Sequence, residues 1–287
     1  SELAGQIVYA GLIFFIFINH SSVTLLIIFS VIQAAVTSLF LFVPYIKKNH
    51  IRINLSIREN LHTLKEAYKL GLANKAEGIT SSFIIFCTGI FLTEQAVGLY
   101  NASNKIYLIL LTVVQGVSYT FMPVLLRYAK KPEVSSVRKI SLIFYVYVII
   151  GILLSVFTFI FADTIISIMF GEKFADSVII LKYFSITILL WPAVMFCSLI
   201  ILAYNRYNYI LITSVTSMIL SVIFSLILIN LYGVNGTGLV LPFVAVGTLI
   251  VSILFLRKIS HDEHFRTMDL FSVRLAFTEL SNLINRK

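Results

Sequence analysis

Charge is scarce in this sequence. Asp, Glu, Lys and Arg make up 12% of its 287 residues, and 59% are hydrophobic; a soluble globular chain carries about 25% and about 45–50%. A soluble particle could not cover so apolar an interior with so few charges. Soluble enzymes, disordered chains, collagens and disulfide scaffolds are therefore excluded, and the expected solvent is lipid. Cysteine is nearly missing as well. Cys87 and Cys197 each lie inside an apolar run, where a free cysteine behaves as a small hydrophobe rather than a redox or metal site. There is no phosphate-binding GxxxxGK[ST] loop, no HExxH, no GxSxG and no DxD pair. The five histidines sit in connectors or the tail. An enzyme is poorly supported, and neither a cofactor nor a metal ligand set is expected. The formal net charge of +9 would suit a nucleic-acid binder, but the basic residues punctuate the chain instead of gathering on one face. No nucleic-acid partner is expected.

What the sequence has instead is long apolar runs. A bilayer-crossing helix needs roughly 20 mostly apolar residues, and about eight stretches qualify: 3–19, 22–46, 71–93, 101–126, 140–162, 178–203, 209–231 and 236–256. They are continuously apolar rather than alternating, and too long for membrane strands. The connectors alternate in charge. One set carries Lys47, Lys48, Arg52, Arg58, Lys65 and Lys69, then Arg127, Lys130, Lys131, Arg138 and Lys139, then Arg206, then Arg257 and Lys258; the other set has Lys173 as its one basic residue. Lys/Arg excess marks the cytoplasmic side, so both chain ends are expected there.

The stretch 51–70 is more polar. Ser56 with Glu59 makes a capping box, and Ile57, Leu61, Leu64 and Tyr68 share a face. This predicts an interfacial helix on the membrane surface, with a solvated linker as the alternative. The tail 261–287 mixes aromatic and basic residues without a readable role.

Polar groups inside spans are costly, so their placement is informative. In the fourth span Asn101, Asn104, Lys105, Thr112, Gln115 and Tyr119 share one helical face, and in the third Asn74, Glu77, Ser81 and Thr88 do the same. The two faces are expected to line a hydrated lumen; interhelical hydrogen bonding is the alternative. Ser217, Ser221 and Ser225 read as a packing ridge. Lys75 either enters the lumen or snorkels to the headgroups; Lys182, near the start of the sixth span, is expected to snorkel. Lys105 could meet a phosphate as a point charge. Glu77 is the candidate proton or cation site. Trp191-Pro192 in mid-span predicts a kink.

The segment EQAVGLYNASNKIYLILLTVVQGVSYTFMPVLLR, residues 94–127, resembles a signature of polysaccharide-transport flippases in the MATE-like MOP superfamily. Val97, Gly98, Tyr100, Ala102, Lys105 and Pro123 carry the resemblance. The loop 168–185, with Phe170, Gly171 and Phe174, and the turn 232–242, YGVNGTGLVLP, resemble two further family features. The resemblance covers about 70–260. It implies an all-α polytopic membrane protein, MATE-like, built from two six-helix bundles around a central cavity. On that plan residues 1–46 are the last two helices of the first bundle, 47–70 a basic linker, 71–260 the complete second bundle and 261–287 a cytoplasmic tail. About four helices would precede Ser1.

The implied activity is flipping of an undecaprenyl-diphosphate-linked oligosaccharide, such as an O-antigen or capsule repeat unit, across the bacterial inner membrane. Alternating access would drive it, with ion-gradient coupling through Glu77. The implied partners are that lipid-linked glycan, membrane lipids and other polysaccharide-assembly membrane proteins. Four alternatives stay open: a drug exporter of the same superfamily, a peptidoglycan-precursor flippase, a membrane-embedded polymerase or glycosyltransferase, and an inactive truncated remnant.

Overall fold

The computed structural model describes residues 57–129 and 134–262, together with a few isolated positions. The chain divides into two compact units, 1–61 and 62–287, and the second is described here. The first two expected spans, 3–19 and 22–46, lie outside the described residues, as do the capping box at Ser56 and most of the tail.

Six long helices follow one another: α1 (Ile57–Phe91), α2 (Glu94–Ala129), α3 (Val134–Phe170), α4 (Ser177–Ala203), α5 (Tyr207–Tyr232) and α6 (Val234–Asp262). One 3-10 turn, Glu172–Phe174, joins α3 to α4. Five helices are long and apolar enough to cross a membrane: Glu94–Tyr128, Ser136–Phe170, Ser177–Ala203, Tyr207–Tyr232 and Val234–His261. The chain is thus an all-α membrane protein, with five such spans among the described residues rather than the eight expected. The expected third span, 71–93, is helical, but Asn74, Lys75 and Glu77 and the hydroxyls after them leave α1 too polar to count by composition. The expected interfacial helix corrects in the same way. Residues 57–91 form one continuous helix, because Gly71 is no break where the hydrogen-bond ladder continues through it.

The turns are short and chemically specified. Thr93 precedes α2, and its Oγ1 accepts the Ala96 N–H at 3.3 Å, so the helix begins at Glu94 rather than near 101. Asn205 closes α4 at φ +56. The Arg206 N–H reaches the Ile201 carbonyl and the Asn205 N–H the Leu202 carbonyl, a left-handed cap that asparagine tolerates better than other side-chain-bearing residues. Gly233, at φ +57, turns α5 into α6.

α4 is the central helix. It is apolar on all sides, as suits a helix surrounded by protein, and packs on α2, α3 and α6, while α6 also packs on α5. Two larger apolar clusters lie along the helix axes, with a smaller one at Ile106, Ala162, Ile166 and Leu181. One gathers Ile84, Leu99, Tyr100, Phe184, Leu228 and Val240. The other gathers Leu125, Ile140, Tyr147, Phe196, Ile200 and Leu256, toward the end that carries Arg127, Arg138, Lys139, Arg206, Arg257 and Lys258. We call this the basic end. Within the first cluster the Phe184 ring meets Tyr100 edge-on at 5.8 Å and Tyr107 at 5.3 Å.

Candidate functional site

A cavity of about 500 Å³ opens among α1, α2, α4, α5 and α6, within the size range of small-molecule sites. It lies in the half of the bundle nearer the basic end, because its lining comes from the early turns of α5, the later turns of α4 and the middle and later turns of α2, with the middle of α1 beside them. α1 contributes Asn74, Glu77, Thr80 and Ser81, and α2 contributes Tyr107, Gln115, Ser118 and Tyr119. Across from them stand Trp191, Met195 and Ser198 of α4, Thr213, Ser214 and Ser217 of α5, and Thr248 of α6.

The expected lumen faces therefore meet in part. Asn74, Glu77, Ser81, Gln115 and Tyr119 come together on one cavity. Lys75 and Thr112 are exposed and stand outside the lining, and Thr112 donates to the Leu108 carbonyl of its own helix at 2.9 Å. Lys105 is exposed near the far end of α2, while Asn101 is half-buried and Asn104 buried there. Helical periodicity places these residues on the right side of α2 but beyond the cavity, whose lining on α2 begins at Tyr107.

The lining carries one carboxylate, Glu77, and no Lys, Arg, His or Cys. Ser214 Oγ lies 3.4 Å from Glu77 Oε1, long for a hydroxyl–carboxylate bond. Several lining hydroxyls are turned back onto their own helices. Ser118 donates to the Val114 carbonyl, Thr213 to Tyr209 and Thr248 to Val244, a habit of Ser and Thr in apolar surroundings. The groups left to address a ligand include the Asn74 and Gln115 amides, the Ser81 and Ser198 hydroxyls, the Glu77 carboxylate and the ring faces of Trp191 and Tyr119.

No family model, no curated protein and no solved structure matches this chain. What it can do is read from the cavity and from the motif residues in place.

Apart from Pro123, beside the lining residue Met122, the residues that carry the flippase resemblance lie away from the cavity. Phe174 lies 3.9 Å from where a Cβ on Gly98 would stand, and its ring is 5.6 Å from Phe170. Tyr100 and Ala102 are buried. The adjacent Ser103 donates to the Ser177 carbonyl at 2.7 Å, tying the start of α2 to the start of α4. Gly98, Tyr100, Ala102 and the adjacent Ser103 knit the end opposite the basic one. Lys182, expected to snorkel, pairs instead with Asp163 at 2.8 Å. Among the described residues no group of three or more His, Cys, Asp or Glu side chains could hold a metal ion.

Sequence reasoning missed the walls given by α4, α5 and α6. Trp191 read as part of a kink and Ser217 as packing, and no periodicity within one helix shows which neighbour will face it. Ser217 is both buried and part of the cavity lining.

Proposed function

We propose that this bundle is the substrate-bearing half of a flippase for undecaprenyl-diphosphate-linked oligosaccharides in the bacterial cytoplasmic membrane, with the basic end facing the cytoplasm. The observation that carries this reading is a cavity of about 500 Å³ whose largely apolar lining carries two amides, several hydroxyls and one carboxylate, inside a bundle of otherwise apolar helices. Polar side chains facing such a cavity mark a substrate or ion pathway. Asn74, Gln115 and Ser81 suit sugar hydroxyls, and the Trp191 and Tyr119 rings offer flat apolar faces to a sugar ring. With no cation in the lining, the diphosphate is held elsewhere, with Lys75 and Lys105 as the candidate groups on α1 and α2. Glu77 is the coupling carboxylate, and the substrate crosses by alternating access.

In cells whose surface glycan depends on this protein, Gln115→Ala and Asn74→Ala should lower surface glycan and accumulate lipid-linked repeat units in the inner leaflet. Glu77→Gln should abolish the pH dependence of flipping. Normal glycan export in all three variants would sink the proposal.

One observation favours a second reading, an exporter of amphipathic organic cations. A lone carboxylate beside Trp191, Tyr107, Tyr119, Met122 and Met195, with no opposing cation, is a setting in which a cation gains both charge and ring contacts. Trp191 is the one tryptophan of the chain. Quenching of its fluorescence by a lipophilic cation, lost in Glu77→Gln, would support export of cations; quenching by lipid-linked glycan alone would support the flippase.

A further inference from the structure

α1 and α5 meet along a line of hydroxyls. Ser214, Ser217, Ser221 and Ser225 share one face of α5 by the helical repeat, and Ser221 Oγ donates across it to the Thr80 carbonyl of α1 at 2.9 Å. Ser214 faces Glu77. The α1 carbonyls at the neighbouring levels are already taken by their own helix. Thr80 Oγ1 donates to Ala76 at 3.0 Å and Thr88 Oγ1 to Ile84 at 2.7 Å. Ser217 and Ser225 are 2% and 0% exposed, and their Oγ atoms have no hydrogen-bond partner. A buried hydroxyl without a partner costs stability, and alanine would remove that cost. Two of them on one seam, with a carboxylate at its end, point to a use.

The geometry also gives the line a direction. Glu77 to Thr88 on α1 and Ser214 to Ser225 on α5 are the same interval of eleven positions, about 16 Å of helix. Thr88 stands three residues before the end of α1 at Phe91. The seam thus runs from the cavity, which includes Ser214 and Ser217, toward the opposite end, with Ser225 about two turns before the end of α5 at Tyr232. One turn rises about 5.4 Å, the span of two O–H···O bonds of about 2.7 Å each. The rise between successive turns thus matches the span of a single bridging water.

We propose that the α1–α5 seam is a proton relay delivering protons from the end opposite the basic one to Glu77, through Ser225, Ser221 and Ser217 and intervening waters. Each hydroxyl takes a proton from the side of Ser225 as it passes its own toward Glu77. The net change is one O–H bond formed on the Glu77 carboxylate, with every serine restored. The titratable groups facing Glu77 are Tyr107 and Tyr119 of α2; α4, α5 and α6 present none to the cavity, and Lys75 of α1 is exposed outside its lining. The relay rests on the reading of Glu77 as the coupling carboxylate but not on the identity of the transported substrate.

The test uses the full protein in proteoliposomes of uniform orientation, with Trp191 fluorescence followed after a rapid acid jump on one side. The expected result is a Trp191 response that Glu77→Gln abolishes. The double variant Ser217→Ala/Ser225→Ala slows it at least tenfold when acid is applied opposite the basic end, and leaves it unchanged when acid is applied at the basic end. Ser217→Thr/Ser225→Thr, which keeps the hydroxyls, retains the wild-type rate, and the thermal midpoint of the alanine pair is unchanged or raised. Equal rates in wild type and the alanine pair from the opposite side overturn the relay while leaving the coupling role of Glu77 in place. A wild type with no Glu77-dependent response overturns both. Failure to flip lipid-linked glycan with these responses intact removes only the flippase reading.

Discussion

Between α3 and α4, a Cβ on Gly151 would stand 3.0 Å from the Leu189 carbonyl and 3.1 Å from Pro192 Cγ, and one turn on Ser155 Oγ donates to the Ser185 carbonyl at 2.7 Å. Between α1 and α5, small residues also bring the helices together, but Ser217 and Ser225 keep hydroxyls without partners. The first contact uses its small residues to close space and satisfy groups. Pro192 cannot donate to the Ile188 carbonyl, and Gly151 lets α3 approach the helix where that bond is missing. The second contact spends the same kind of residue without closing its hydrogen bonds. Small residues let membrane helices approach; what they do once there depends on whether the polar atoms they bring find partners.

The sharpest way to break this contrast is at the closed contact. Gly151→Leu has no room against the Leu189 carbonyl and Pro192, and should cost about 2–3 kcal/mol as an overpacked core position. The loss would be read from the unfolding midpoint in mild detergent. A variant as stable as wild type would mean that α3 and α4 are not in the close contact described. Ser155→Ala should cost less, about 1 kcal/mol, because one hydrogen bond is lost and the Ser185 carbonyl is left buried.

How much of this was legible beforehand follows from what each signal measures. Five spans were readable as continuous apolar runs, since length and hydropathy are properties of one helix alone. The polar faces of α1 and α2 were readable for the same reason, and Asn74, Glu77, Ser81, Gln115 and Tyr119 do share a cavity. Periodicity gives the direction of a side chain around its helix but not the depth at which a cavity opens. Lys105, Asn101 and Asn104 therefore joined the wrong group. The walls from Trp191, Ser214 and Thr248 depend on which helices become neighbours, and no single-helix pattern encodes that. The start of α2 was misplaced for a local reason: Glu94, Gln95 and Gly98 interrupt the apolar run, whereas Thr93 caps the helix at Glu94 and Gly98 lets Phe174 lie against it.

At the open contact the effects shrink and then change sign. Ser221→Ala removes the one cross-seam bond to the Thr80 carbonyl, and hydrogen bonds between membrane helices average about 0.6 kcal/mol. A loss of that order is expected, measurable as a small fall in the unfolding midpoint, and Ser221→Thr should recover part of it.

Ser225→Ala should do the opposite. Its hydroxyl is buried without a partner, so replacing it with a methyl group removes a desolvated polar atom, and alanine is also the better helix former. A gain of a few tenths of a kcal/mol to about 1 kcal/mol is expected. The same Ser→Ala chemistry would then lower stability at position 221 and raise it at position 225, on one face of one helix, four residues apart. Measured side by side in one detergent, the two variants share every effect of helix propensity and of apolar exchange. Their difference isolates whether the hydroxyl had a partner. Equal losses at both positions would mean that Ser225 is bonded in the membrane, and the two helix contacts would then be the same kind of closed interface.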